Sequence, residues 1–162
     1  MYLKIVLRET KPPDNLFYFL HVFSERCKIS TTEENARKKR ILLVDDELDI
    51  TLAIKTALEE SEFLQVEAFH DPVLALSRFK AGAYDLAILD IKMPGIDGFE
   101  LYRKLRKTDN KLKICFLTAA ELGHYRETDS DIIDELAKDY FVTKPVETTD
   151  LINRLKVMLS QK

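Results

Sequence analysis

Six polar residues stand at or just after short apolar runs, and their types suit one another chemically. Asp45, Asp46 and Glu47 follow the run 41–44, Asp90 follows 86–89, Thr118 follows 114–117, and Lys144 comes shortly after 140–142. Clustered carboxylates repel one another and are costly unless a cation joins them. Hard oxygen ligands with room for water are what Mg2+ prefers. A lysine opposite them supplies a point charge for an anion. A carboxylate can also be the nucleophile that takes a phosphoryl group, giving an aspartyl phosphate, and such a transfer is catalysed mainly by positioning and charge neutralisation. Taken singly, each residue has a plainer reading. Asp45-Asp46 can cap a helix, Asp90 can open a turn toward Pro94-Gly95, Thr118 can be a strand-end hydroxyl, and Lys144 can be an exposed lysine before Pro145. Their joint occurrence at four separate run ends is what points to a site.

These residues converge only if the runs are neighbouring strands. Five runs, 41–44, 64–69, 86–89, 114–117 and 140–142, alternate with helical patterns. Four are nearly continuous in apolar residues, as in strands covered on both faces of a parallel sheet, while 64–69 alternates and predicts an edge strand. Ile50, Ile54, Ala57 and Leu58 make one helical stripe, and Gly98, Leu101, Tyr102 and Leu105 another. Asp71-Pro72 supplies an N-cap and a first-turn proline ahead of Leu74, Leu76 and Phe79. Ile132, Ile133 and Leu136 form a shorter stripe, and Leu151, Leu155, Met158 and Leu159 the last. Five β-α units in succession predict an α/β fold: a doubly wound parallel sheet with right-handed crossovers and helices on both faces. Ligands of such sheets bind outside the carboxyl ends of the strands, where the six polar residues fall.

Composition removes several alternatives. The 162 residues contain four glycines, at 82, 95, 98 and 123, from which neither a G-x-x-x-x-G-K nor a G-x-G-x-x-G phosphate loop can be written. Cys27 and Cys115 make no disulfide framework, and neither they nor His21, His70 and His124 have zinc spacing. Cys115 reads as a buried free thiol. The net charge of −3 is unevenly spread: residues 1–39 carry 8 basic and 5 acidic side chains, and residues 40–162 carry 17 and 23. An acidic body argues against direct nucleic-acid binding. The apolar run 16–23 is far shorter than the roughly 20 residues that span a bilayer, so no membrane association is expected. It also lacks a signal-peptide cleavage site, which leaves a cytoplasmic reading. Residues 1–39 are expected to be a flexible N-terminal extension, with the folded body over 40–162.

The runs Ile41-Leu42-Leu43-Val44-Asp45-Asp46-Glu47, Leu89-Asp90-Ile91-Lys92-Met93-Pro94-Gly95-Ile96-Asp97-Gly98, Leu117-Thr118-Ala119-Ala120 and Lys144-Pro145 together resemble the receiver domain of two-component response regulators. The resemblance covers roughly residues 40–161. It implies a five-stranded flavodoxin-like sheet of order 2-1-3-4-5. It implies Asp90 as phosphoacceptor and as a residue of the Mg2+ site, and Asp45 and Asp46 as the acid pair that holds Mg2+, Asp46 more directly and Asp45 partly through water. The backbone carbonyl of Lys92 is implied as the third protein ligand. Thr118 is implied as the hydroxyl that moves onto the phosphoryl group, Lys144 as the lysine that pairs with it, and Phe141 as the aromatic switch that then turns inward. Tyr140, one place off that register, is read as packing. The implied partners are a histidine kinase and an unidentified downstream protein, with a phosphorylation-dependent dimer through the fourth helix, fifth strand and fifth helix as a further possibility. The only implied catalysis is self-catalysed phosphoryl transfer and dephosphorylation.

Some features depart from that pattern or add to it. The stretch 119–131 is longer than expected, which puts the shape of the fourth helix in question. Lys92 brings a second cation near the site and either stays solvated or slows attack by water on the acyl phosphate. Asp150 and Arg154 are spaced i, i+4 and form either a dimer contact or a local surface pair. With no output domain after Lys162, output is expected through partners. Among rivals, a receiver-fold binding module would act without phosphorylation. An aspartate-nucleophile phosphatase would need an Asp-x-Asp pair, whereas Asp45 is followed by Asp46-Glu47. A flavodoxin would need a Ser/Thr/Gly-rich loop after the first strand.

Overall fold

A computed structural model describes residues 37–119, 125, 129–136 and 140–161. The expectations for the N-terminal extension, Cys27, His21, His124 and most of 120–128 therefore lie outside the described residues.

The chain alternates strand and helix throughout. Strands β1 (Lys39–Val44), β2 (Leu64–Phe69), β3 (Leu86–Asp90), β4 (Lys113–Thr118) and β5 (Phe141–Thr143) are followed in turn by α1 (Leu48–Glu59), α2 (Pro72–Arg78), α3 (Gly98–Thr108), α4 (Ser130–Glu135) and α5 (Thr148–Ser160). All strand pairs are parallel, in the order β2-β1-β3-β4-β5. This is the expected doubly wound sheet, with the switch point between β1 and β3. The alternating 64–69 run is indeed the edge strand β2.

The side-chain period of two along each strand divides the apolar residues between two cores. Leu42, Val44, Ala87, Leu89, Ile114 and Phe116 face one way, toward Phe99, Leu101, Leu105 and Ile132 of α3 and α4. Ile41, Leu43, Leu86, Ile88, Cys115 and Leu117 face the other, toward Leu58, Leu151, Leu155 and Met158 of α1 and α5. Each such fully buried leucine or isoleucine is worth about 1.5–3 kcal/mol of transfer free energy, so the central strands are strongly held. Cys115 is among them, and burial pushes its thiol up to about 12.

Helix starts follow the local chemistry. Asp71 caps α2 by accepting from the N–H groups of Val73 and Leu74, with Pro72 in the first turn. Asp97 caps α3 by accepting from Glu100 N–H at 2.7 Å. Two local readings need correction. Leu74 is exposed on α2, and Pro72 and Ala75 are the buried pair, because five consecutive apolar residues gave no clean stripe in so short a helix. The last strand opens at Phe141, one residue later than expected, because its pairing with β4 starts at Phe116↔Phe141.

Candidate functional site

The carboxyl ends of β1, β3, β4 and β5 bring three of the expected residues into direct contact. Asp45 follows β1 immediately and is fully buried, its N–H donating to Phe69 O. Its Oδ1 accepts from Glu47 N–H at 3.0 Å, and its Oδ2 accepts from Lys144 Nζ at 2.7 Å. Asp90 is the last residue of β3, paired with Leu117 of β4 and 4% exposed. Lys144 Nζ lies 2.6 Å from Asp90 Oδ1. One ammonium thus bridges two buried carboxylates, and Lys144 lies 99 residues along the chain from Asp45. Thr118 ends β4 and is also buried, and its carbonyl accepts from Lys144 N–H at 2.7 Å, which ties the ends of β4 and β5 together.

The electrostatics follow from burial and pairing. Burial pushes the Asp90 carboxyl above the ordinary carboxylate range. The hydrogen bond and charge of Lys144 oppose that shift, the charge of Asp45 adds to it, and the N–H of Lys92 opposes it. For Lys144, burial works against the charged form, but the hydrogen bonds to Asp45 and Asp90 outweigh it and hold the ammonium above its usual value. The site is therefore a desolvated charge cluster in which each group depends on its neighbours.

Asp46 is half-buried beside this cluster, and the side chain of Lys92 is exposed. Asp45, Asp46 and Asp90 oppose one lysine, an imbalance that a divalent cation matches, and their oxygens are the hard donors that Mg2+ takes. Among the described residues no three His, Cys, Asp or Glu side chains are already gathered as a ligand set. Lys144 lies between Asp45 and Asp90. The residues fit the ion by charge and donor type.

Phe141 lies beneath this rim. Its ring is 6% exposed and stacks on Phe116, with centroids 5.2 Å apart, while Phe99 and Tyr125 extend the cluster. Tyr140 is half-buried and packs against the core, as read from its register. Ala119, after Thr118, is small and exposed. Arg154 donates to Phe141 O at 2.9 Å, which links α5 to β5.

Three further residues contribute: Glu47, which stands among the acidic residues after the first run, and Thr51 and Gly98, which carried no assignment to the site. Glu47 Oε1 lies 3.8 Å from Lys144 Nζ. The Thr51 hydroxyl donates to the carbonyls of Asp45 and Glu47, a role signalled only by a polar residue on the buried side of α1. Gly98 packs so closely on the end of β3 that a Cβ there would stand 2.2 Å from Asp90 O. Its signal was a glycine placed directly after the N-cap Asp97.

Comparison with known proteins agrees with this geometry. The sequence model of the response regulator receiver domain matches residues 41–156. The chain is 36% identical over 124 residues to the transcriptional regulatory protein YkoG of Bacillus subtilis, covering 76% of this chain and 52% of that protein. It is 36% identical over 122 residues to the transcriptional regulatory protein TrcR of Mycobacterium tuberculosis, covering 74% and 45%. The chain thus spans about half the length of the curated relatives it matches. Among solved structures, a CheY-like receiver domain protein from Methanospirillum hungatei superposes with a TM-score of 0.64 at 32% identity, covering 75% of this chain and 94% of that one. The non-phosphorylated HemR receiver domain from Leptospira biflexa gives 0.66 at 29% identity, covering 77% and 97%. With the strand order, the Asp45-Lys144-Asp90 cluster and the match over 41–156 in agreement, the chain belongs to the response regulator receiver domain family.

Proposed function

We propose that this chain is a phosphorylation-driven switch that takes a phosphoryl group from the phosphohistidine of a histidine kinase onto Asp90. Receiver domains act in two-component signalling, and response regulators are signalling proteins rather than conventional enzymes. The observation that carries the reading is the Lys144 ammonium held 2.6 Å from Asp90 and 2.7 Å from Asp45 at the carboxyl rim of the sheet. In the transfer, an Asp90 carboxylate oxygen forms the bond to phosphorus. The phosphorus–nitrogen bond of the donor breaks, and its electron pair stays on the imidazole. Lys144 moves from a carboxylate oxygen to a phosphoryl oxygen, and the Thr118 hydroxyl donates to another. Asp45, Asp46, Asp90 and the Lys92 carbonyl would hold Mg2+, which when bound supplies neutralisation of the charge gathered at the rim. Dephosphorylation is the attack of water on the same phosphorus, with Asp90 as the leaving carboxylate.

The added charge and acceptor oxygens bias the ends of β4 and β5 together, since Lys144 N–H is bonded to Thr118 O. Phe141 and its stack on Phe116 then couple the rim to the face made by α4, β5 and α5, through which the chain dimerises or meets a downstream protein. Residues 40–162 are the switch, and residues 1–39 are an extension outside it. The acidic body supports output through protein contact rather than through direct nucleic-acid binding. Among the described residues no helix is long and apolar enough to cross a membrane, which supports a cytoplasmic site of action.

Incubation with a small phosphodonor and Mg2+, followed by intact mass, tests this. Wild type should gain one phosphoryl group, while Asp90→Ala and a sample treated with a divalent-ion chelator should gain none. No gain by wild type favours a binding module that acts without phosphorylation.

A further inference from the structure

Glu47 is the outermost of three carboxylates around the Lys144 ammonium, at 3.8 Å from Nζ against 2.7 Å for Asp45 and 2.6 Å for Asp90. It stands at the N-cap of α1, where a short acidic side chain ordinarily accepts from a free N–H of the first turn. Yet its side chain makes no capping hydrogen bond. The backbone that carries it is fixed from the site itself. Glu47 N–H donates to Asp45 Oδ1, and Glu47 O accepts from both the hydroxyl and the N–H of Thr51. The Glu47 side chain is 62% exposed where that of Lys144 is 14%, so Glu47 lies on the solvent side of the ammonium.

We propose that Glu47 is a positioning residue that competes with an incoming phosphoryl group for Lys144 and so sets the rate at which Asp90 is loaded. This rests on the reading of Asp90 as phosphoacceptor. Lys144 has three N–H bonds to offer, and three carboxylates lie around it. Asp45 at 2.7 Å and Asp90 at 2.6 Å engage two of those N–H bonds, while Glu47 at 3.8 Å attracts the ammonium by charge alone and competes with a phosphoryl oxygen for the third. Asp45 and Asp90 are buried, and separating an ammonium from a desolvated carboxylate is unfavourable. Glu47 is longer-range and solvated, so it is the partner released. Its charge also faces any anionic donor that approaches from solvent. The two effects act in the same direction: with Glu47 ionised, loading is slower than the buried pair alone would allow.

Loading rates of the 162-residue chain with Mg2+ test this, using acetyl phosphate and the less negatively charged phosphoramidate as donors and intact mass as readout. At about 6 Å in a water-like dielectric, removing one charge should speed loading of Glu47→Gln about three- to tenfold. The gain should be larger with acetyl phosphate and should shrink as salt is raised. Glu47→Asp, which keeps the charge, should stay nearer wild type, and unfolding temperatures should be similar because the side chain is exposed. A Glu47→Gln chain that loads at or below the wild-type rate, or that gains equally with both donors and at all salt concentrations, overturns the inference while Asp90 remains the acceptor. A wild-type chain that takes no phosphoryl group from either donor overturns the acceptor reading and this inference together.

Discussion

Gly98→Ala should disturb the end of β3, which carries Asp90, without changing any group of the proposed chemistry. A Cβ at position 98 would meet Asp90 O at 2.2 Å, Ile91 Cα at 2.9 Å and the Asp90 carbonyl carbon at 3.0 Å. All three are backbone atoms, so no rotamer change relieves the contact. To reach ordinary van der Waals separation, α3 and the end of β3 must move apart by roughly 1 Å. That movement stretches the hydrogen bond from Gly98 N–H to Ile91 O, now 3.0 Å. Overpacking of this kind costs about 1–3 kcal/mol, and the rigid neighbours place it at the upper end. Replacing glycine by alanine in a helix returns up to about 1 kcal/mol. The net loss is about 2 kcal/mol, which lowers the urea midpoint by about 1 M for an ordinary denaturant slope. Urea unfolding followed by far-UV circular dichroism reads the stability, and phosphodonor loading reads the displacement of Asp90. Gly82→Ala is the control. Gly82 has φ +70 with nothing within 4 Å of the added Cβ, so it should lose stability through backbone strain and leave loading intact. A Gly98→Ala chain with an unchanged midpoint and normal loading would refute the reasoning.

Three shorter tests address other parts of the fold. Arg103 of α3 pairs with Asp129 at 2.9 Å and Asp131 at 3.1 Å at the start of α4. Discounted for an arginine that is partly exposed, Arg103→Ala should cost about 1 kcal/mol and should speed amide exchange in Ser130–Glu135; exchange unchanged there would contradict the clamp. Cys115, buried and with its thiol pushed up to about 12, should resist iodoacetamide in the native chain and react in urea, as peptide mass mapping would read; equal labelling in both conditions would contradict its burial. The side chain of Lys92 is exposed, so its charge is screened, and Lys92→Ala should change the phosphoryl half-life by less than about twofold; a larger change would show that it governs attack by water.

The central strands were legible because β1, β3 and β4 are buried on both faces and must be apolar almost without interruption. Once those strands are neighbours, the residues that follow them meet, which is why Asp45, Asp90, Thr118 and Lys144 could be assigned to one rim from sequence. Helix orientation was less legible where the pattern carried little information. In α2, Pro72, Val73, Leu74, Ala75 and Leu76 are all apolar, and only packing decides that Ala75 faces the core and Leu74 does not. The start of β5 at Phe141 depends on its partner strand rather than on local sequence. Contacts made by backbone or by polar side chains left the weakest trace. Gly98 shows its role only when the end of β3 is seen against it, and Glu47, one of the acidic residues after the first run, shows its role only when Lys144 is found at its side. For Phe141, the resemblance to receiver domains named the residue, whereas its buried stack on Phe116 comes from tertiary packing.

Locating the phosphoryl group chemically tests the central claim most directly. The 162-residue chain should be treated with a phosphodonor and Mg2+, reduced with borohydride and digested. Borohydride converts an acyl phosphate to the alcohol, so an aspartyl phosphate becomes homoserine at its own position. Homoserine at position 90 and at no other aspartate is the predicted result. Homoserine at Asp45 or Asp46 instead, or at no position in a chain that has gained the mass of a phosphoryl group, would contradict the assignment of Asp90 as the acceptor.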